Sequence, residues 1–114
     1  MKYMLIGMVW FQSIVGLAFE YEVQLENDLV CVATAKIMPY EEIGLHRDIY
    51  PHVVIASKGG VITRLEANGT TTEVEFPIGI AVFREADPCD ELHRSVNNSS
   101  ESIELTIIHL KASR

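Results

Sequence analysis

Cysteine is scarce: Cys31 and Cys89 are the only two in 114 residues. Two thiols are too few to set a disulfide framework. Cys31, among apolar neighbours, reads as a buried free thiol, and Cys89, beside Pro88, as a loop residue. Export would let them pair across a long loop. Positive charge is also short, with nine Lys and Arg against 16 Asp and Glu and a formal net charge of −7. The bases are dispersed, whereas grip on a phosphate backbone needs them clustered, so nucleic acid is excluded as a partner. No segment past the N-terminus keeps a helical period, which argues against a helical fold. No Ser-His-Asp or Cys-His set stands out beyond composition, so no catalytic residue is assigned.

What is present is a series of short extended segments divided by turn residues. Residues 19–25 alternate apolar and polar, and 29–37 form a β-branched run. Residues 50–57 form a strand. Gly59-Gly60 reads as a tight turn, with 61–66 pairing back as a hairpin. Asn68-Gly69 is a second hairpin signal before the alternating 71–76. Pro77-Ile78-Gly79 leads into an apolar run, and 84–92 reads as an acidic loop. A short segment at 93–96, a turn at 97–100 and a final strand over 102–111 complete the chain. This is an all-β pattern, a sandwich or barrel, in a chain long enough for one domain.

The N-terminus differs. Met1-Lys2 precedes an uncharged apolar stretch, and the first acid is Glu20. Gly16 and Ala18 take the −3 and −1 positions of a cleavage site before Phe19, which is the layout of a signal peptide over residues 1–18. The stretch is short for a membrane span of about 20 residues. The expectation is a periplasmic or secreted domain, residues 19–114, with no membrane association after processing. Retention of the segment as a packed strand or helix would leave the protein cytoplasmic.

The chemistry concentrates at residues 44–60. His46, Asp48 and His52 occupy even positions there, so a continuous extended chain points all three the same way. Pro51 argues against a helix. A histidine, a carboxylate two residues on and a distant histidine, here His93, make the facial set of non-haem iron sites. His52 would complete a four-ligand shell. Asn97 reads as a turn-closing residue, and His109 is given no role.

These stretches resemble the two motifs of the cupins. His46 takes the first histidine position of the leading motif, Asp48 the second, His52 that of the glutamate and Gly59 that of the glycine. Pro77-Ile78-Gly79, His93 and Asn97 match the second motif. The resemblance spans roughly residues 35 to 111. Three departures stand out: Asp48 for a histidine, His52 for the glutamate, and a longer stretch between Gly79 and His93. The resemblance implies a small single-domain cupin, a jelly-roll barrel of the double-stranded β-helix type. It implies a divalent transition metal (Fe, Mn, Ni or Zn) held by His46, Asp48, His52 and His93. It also implies a small polar or acidic ligand and a homodimer, and residues 19–25 offer an edge strand for that dimer. No reaction is assigned. Two other readings stay open, a metal-free binding or structural module and a non-haem iron oxygenase using the His-x-Asp…His triad.

Overall fold

The structure is a computed structural model, and it describes residues 19–111. The expected leader, residues 1–18, lies outside them. Nine strands run β1 Phe19–Glu26, β2 Val30–Ile37, β3 Glu42–His46, β4 His52–Lys58, β5 Gly60–Glu66, β6 Thr71–Phe76, β7 Val82–Arg84, β8 His93–Asn97 and β9 Ile103–Leu110. They form a five-stranded sheet, β1-β2-β9-β4-β7, and a four-stranded sheet, β3-β8-β5-β6. Every strand pairing within them is antiparallel.

Alternation decides which side of each strand is buried. On β2, Ala33, Ala35 and Ile37 are buried; on β4, His52, Val54 and Ala56; on β9, Ile103 and Leu105. Ile62 and Phe76 meet them from the smaller sheet, so the core lies between the two sheets. Ile37 and Ile103 are almost fully enclosed, each contributing roughly 1.5–3 kcal/mol by burial.

Two turns match their sequence signals. Gly69 sits at φ +94° in the β5–β6 hairpin, a conformation that favours glycine. Asn97 is fully buried, its side-chain amide donating to the carbonyls of Ile37, Met38 and Glu101 while its Oδ1 accepts from Ser99. One expectation fails. β4 and β5 are not a hairpin: β4 pairs with β7 and β9, β5 with β6 and β8. The chain steps from one sheet to the other at Gly59. A Cβ there would lie 2.5 Å from the Phe76 carbonyl oxygen, so this glycine permits a close crossing rather than a turn back. Both cysteines are free thiols, Cys31 half-buried and Cys89 exposed.

Candidate metal centre

His46 and His93 face each other across β3 and β8, their rings 4.3 Å apart. An irregularity in β3 makes this possible. Ile43 pairs with Ser95, but His46 pairs with His93, so β3 carries one extra residue over that interval. Such a bulge reverses the alternation. Leu45 is 61% exposed, and His46 turns to the inner side beside His93.

Asp48 reaches the pair from the irregular segment 47–51, which carries the chain to the other sheet. That corrects the expectation that His46, Asp48 and His52 line one face of a single strand. The strand ends at His46 and resumes at His52, so parity is not carried across the gap. Asp48 is instead tied to the 85–92 loop. The Asp87 amide donates to the Asp48 carbonyl at 2.8 Å, and the Asp48 amide donates to Asp87 Oδ2 at 2.8 Å.

The result is one group in which a ligating atom from each of His46, Asp48 and His93 lies within 4.8 Å of the others. His46 Nε2 and His93 Nε2 each stand 3.7 Å from an oxygen of Asp48. That is too long for a hydrogen bond. It is compatible with donors to one shared ion, since ligands about 2.1 Å from a metal lie roughly 3–4 Å apart. The ring orientations agree. His46 Nδ1–H donates to the Gly44 carbonyl at 2.7 Å, leaving Nε2 to carry the lone pair. His93 Nδ1 lies 3.3 Å from Asp87 Oδ2, off the line of a hydrogen bond, and is sealed without another partner.

Electrostatics favours a neutral His93. Burial holds its pKa below the ordinary value, His46 and Arg64 lower it further, and Asp48 and Asp87 only partly offset them. A ligating histidine must be neutral. Burial alone would raise the Asp87 carboxyl, but its bonds from Arg64 and the Asp48 amide, with the Arg64 charge, hold it below its usual value. Arg64 Nη2 donates to Asp87 Oδ1, and Arg64 Nε to Glu66.

His52 lies apart from this group. It starts β4 on the five-stranded sheet, buried at 7% exposure, with Nδ1–H donating to the Tyr50 carbonyl at 2.9 Å. Its cross-strand neighbour is His109, ring to ring 5.6 Å. Tyr21 hydroxyl and His109 Nε2 share a hydrogen bond of 3.2 Å. Burial, then the charge of His52, lowers the His109 pKa. Burial also raises the Tyr21 phenol well above its ordinary value.

Asp87, Arg64 and Tyr21 were missed from sequence. Asp87 is one of several acids in its loop, with no spacing that marks it. His109 did carry a signal, because the alternation of Ile103, Leu105 and Ile107 places it on the inner face. Cavity size does not locate the centre. A groove of about 440 Å³ across β1, β2 and β9 includes no histidine, so the donor set does.

No family model matches the sequence, nor does any curated protein. Solved structures do match. A cupin domain from Bordetella pertussis superposes with TM-score 0.72 at 23% identity, over 82% of this chain and 94% of that one. An RmlC-like cupin with a double-stranded β-helix fold from Methanocaldococcus jannaschii gives 0.60 at 13% identity, over 84% and 83%. An uncharacterised protein with a double-stranded β-helix domain from Klebsiella pneumoniae gives 0.60 at 18% identity, over 88% and 83%. With two antiparallel sheets enclosing the core and this likeness over most of its length, the chain has the double-stranded β-helix fold of a small cupin domain.

Proposed function

We propose that this is a small metal-binding cupin in which His46, Asp48 and His93 hold one divalent transition metal, from Fe, Mn, Ni or Zn. The observation that carries it is the convergence of two imidazole nitrogens on one carboxylate, 3.7 Å from each. The donor set fits: two imidazoles and a carboxylate suit these ions and leave positions open. A bound ion would supply Lewis acidity, polarising an oxygen of a small polar or acidic ligand. The chain's own part is orientation. Gly44 fixes the His46 ring, and the Asp87 carboxylate stands 3.3 Å behind His93 Nδ1.

The test is metal content after purification without nickel chromatography, followed by reconstitution with each of the four ions. Stoichiometric metal is expected, with a melting temperature that rises with free metal. A parent that takes up none of the four overturns the reading in favour of a metal-free binding module.

We propose a homodimer as well. β1 ends the five-stranded sheet and has a strand neighbour on one side only among the described strands, and open edges invite pairing. Light scattering at micromolar concentration should give twice the chain mass. Monomer alone would refute it.

A further inference from the structure

The second histidine pair belongs to a row that crosses the five-stranded sheet. Cys31 pairs with His109, His109 with His52, and His52 with Arg84. Paired residues of adjacent strands share a face, so Arg84 leaves β7 on the inner side with His52. Exposure agrees: Val82 and Arg84 are half-buried, and Phe83 between them is 55% exposed.

Three features set this row apart. First, the Arg84 guanidinium has no hydrogen bond or ion pair among the described residues, in a chain where acids outnumber bases 16 to 9. Lys36, Arg64, Arg94 and Lys111 have carboxylate partners and Lys58 bonds to Ser102; Arg47 also lacks an ion pair among the described residues, but it lies on the connection after β3, off this row. An inward-facing arginine without an internal counter-charge is suited to an external one. Second, His52 Nδ1 is committed to Tyr50, while Nε2 has no hydrogen bond among the described residues. It is not among their sealed unpartnered atoms, so a small molecule or water can reach it. In the neutral ring that nitrogen is an acceptor. Third, His52 and His109 are not part of any convergent donor group among the described residues, so the row is not a second metal centre. It does face the interior, since His109 pairs with buried His52 and Tyr21 with buried Ala35.

We infer that this row is a subsite for a small hydroxy acid, Arg84 taking the carboxylate and His52 Nε2 accepting a hydrogen bond from the hydroxyl. Arginine's fork matches both oxygens of a carboxylate. A simple carboxylic acid would leave the His52 nitrogen unmatched, and a hydroxy amide would leave Arg84 unmatched. The assignment deepens the metal-centre reading, with the metal group on the facing sheet meeting the rest of the ligand. The subsite itself is built from residues that bind no metal.

The test uses glycolate, lactate and malate as probes, with propionate and lactamide as controls, by calorimetry on metal-reconstituted and metal-free protein. Lactate should bind the parent at least about tenfold more tightly than propionate or lactamide, the worth of roughly one well-placed polar contact. Arg84→Gln should lose at least about tenfold for all three hydroxy acids. His52→Asn should erase the preference for lactate over propionate. Both variants should keep the parent's metal content, and Arg84→Gln its melting temperature, which separates a lost subsite from a lost fold. Failure of all three probes to bind the parent, hydroxy-acid affinity indifferent to Arg84→Gln, or equal binding of lactate and propionate overturns the subsite. Arg84-dependent binding in a parent that takes up no metal overturns the metal reading alone. Full metal with Arg84-independent binding overturns the subsite alone.

Discussion

The chain's four histidines form two cross-strand pairs, one on each sheet, and the two pairs differ in what surrounds them. His46 and His93, on β3 and β8, receive carboxylates from two connecting segments: Asp48 before β4 and Asp87 before β8. His52 and His109, on β4 and β9, meet strand residues instead, Tyr21 by hydrogen bond and Arg84 by register. Burial disfavours the charged form of one histidine in each pair. Both pairs therefore offer imidazole, but among the described residues only the first converges with a carboxylate in a group that could hold a metal ion. The pairing puts two rings side by side, and the loops decide what the rings can do.

Substituting within each pair should separate them most sharply. His46→Ala and His93→Ala are expected to lose stoichiometric metal, read by elemental analysis after dialysis. His52→Asn and His109→Gln should retain it. Equal loss from all four variants would erase the distinction and return His52 to the ligand set expected from sequence. Retention in both His46 and His93 variants would remove the metal centre.

A smaller effect is expected behind the first pair. Asp87→Asn keeps the shape but removes the charge facing His93 Nδ1, and should weaken metal affinity about 10–100-fold. Competition with a chelator measures it. The same substitution frees Arg64 from one of two carboxylate partners, so the melting temperature of metal-free protein serves as a separate readout. An unchanged affinity would show that Asp87 braces the loop and nothing more.

The smallest effect belongs to the second pair and depends on pH. The folded-state pKa of His109 lies below its ordinary 6.5 because burial, then His52, oppose the charged ring. Folding therefore favours the neutral form. This contribution is intact above 6.5 and is lost as pH falls through the lower folded value. Metal-free protein should lose melting temperature over that window, and His109→Gln should lose less of it. A variant that follows the parent's pH curve throughout would assign the titration elsewhere.

How much of this was legible follows from the range over which each cause acts. Alternation and turn residues are local, so β1, β2, β6 and β9 were readable, as were the Asn68-Gly69 hairpin and the structural role of Asn97. His46 and His93 were readable as candidates because the motif marks them. The route by which they meet was not. Shared parity needs one extended chain from His46 to His52, whereas residues 47–51 leave the strand. Gly59-Gly60 looked like a turn because glycine pairs often make one. The nearness of the Phe76 carbonyl, which forces glycine there, belongs to another strand.

The sequence by itself determined an all-β domain, its main strand positions and two motif segments rich in donors. Its periodicity states which residues are buried, because burial follows the two-residue repeat of a strand. Only the tertiary structure decided which histidine faces which. Strand order joins residues far apart in the chain, β3 to β8 and β4 to β9, and no local pattern encodes that order. The same holds for Asp87, whose carboxylate stands behind His93 because its backbone bonds to Asp48 across the connection between the sheets. It holds too for Arg84, whose place beside His52 is a matter of register. Periodicity sets a side chain's face, and its neighbours on that face are set by the packing of the whole chain.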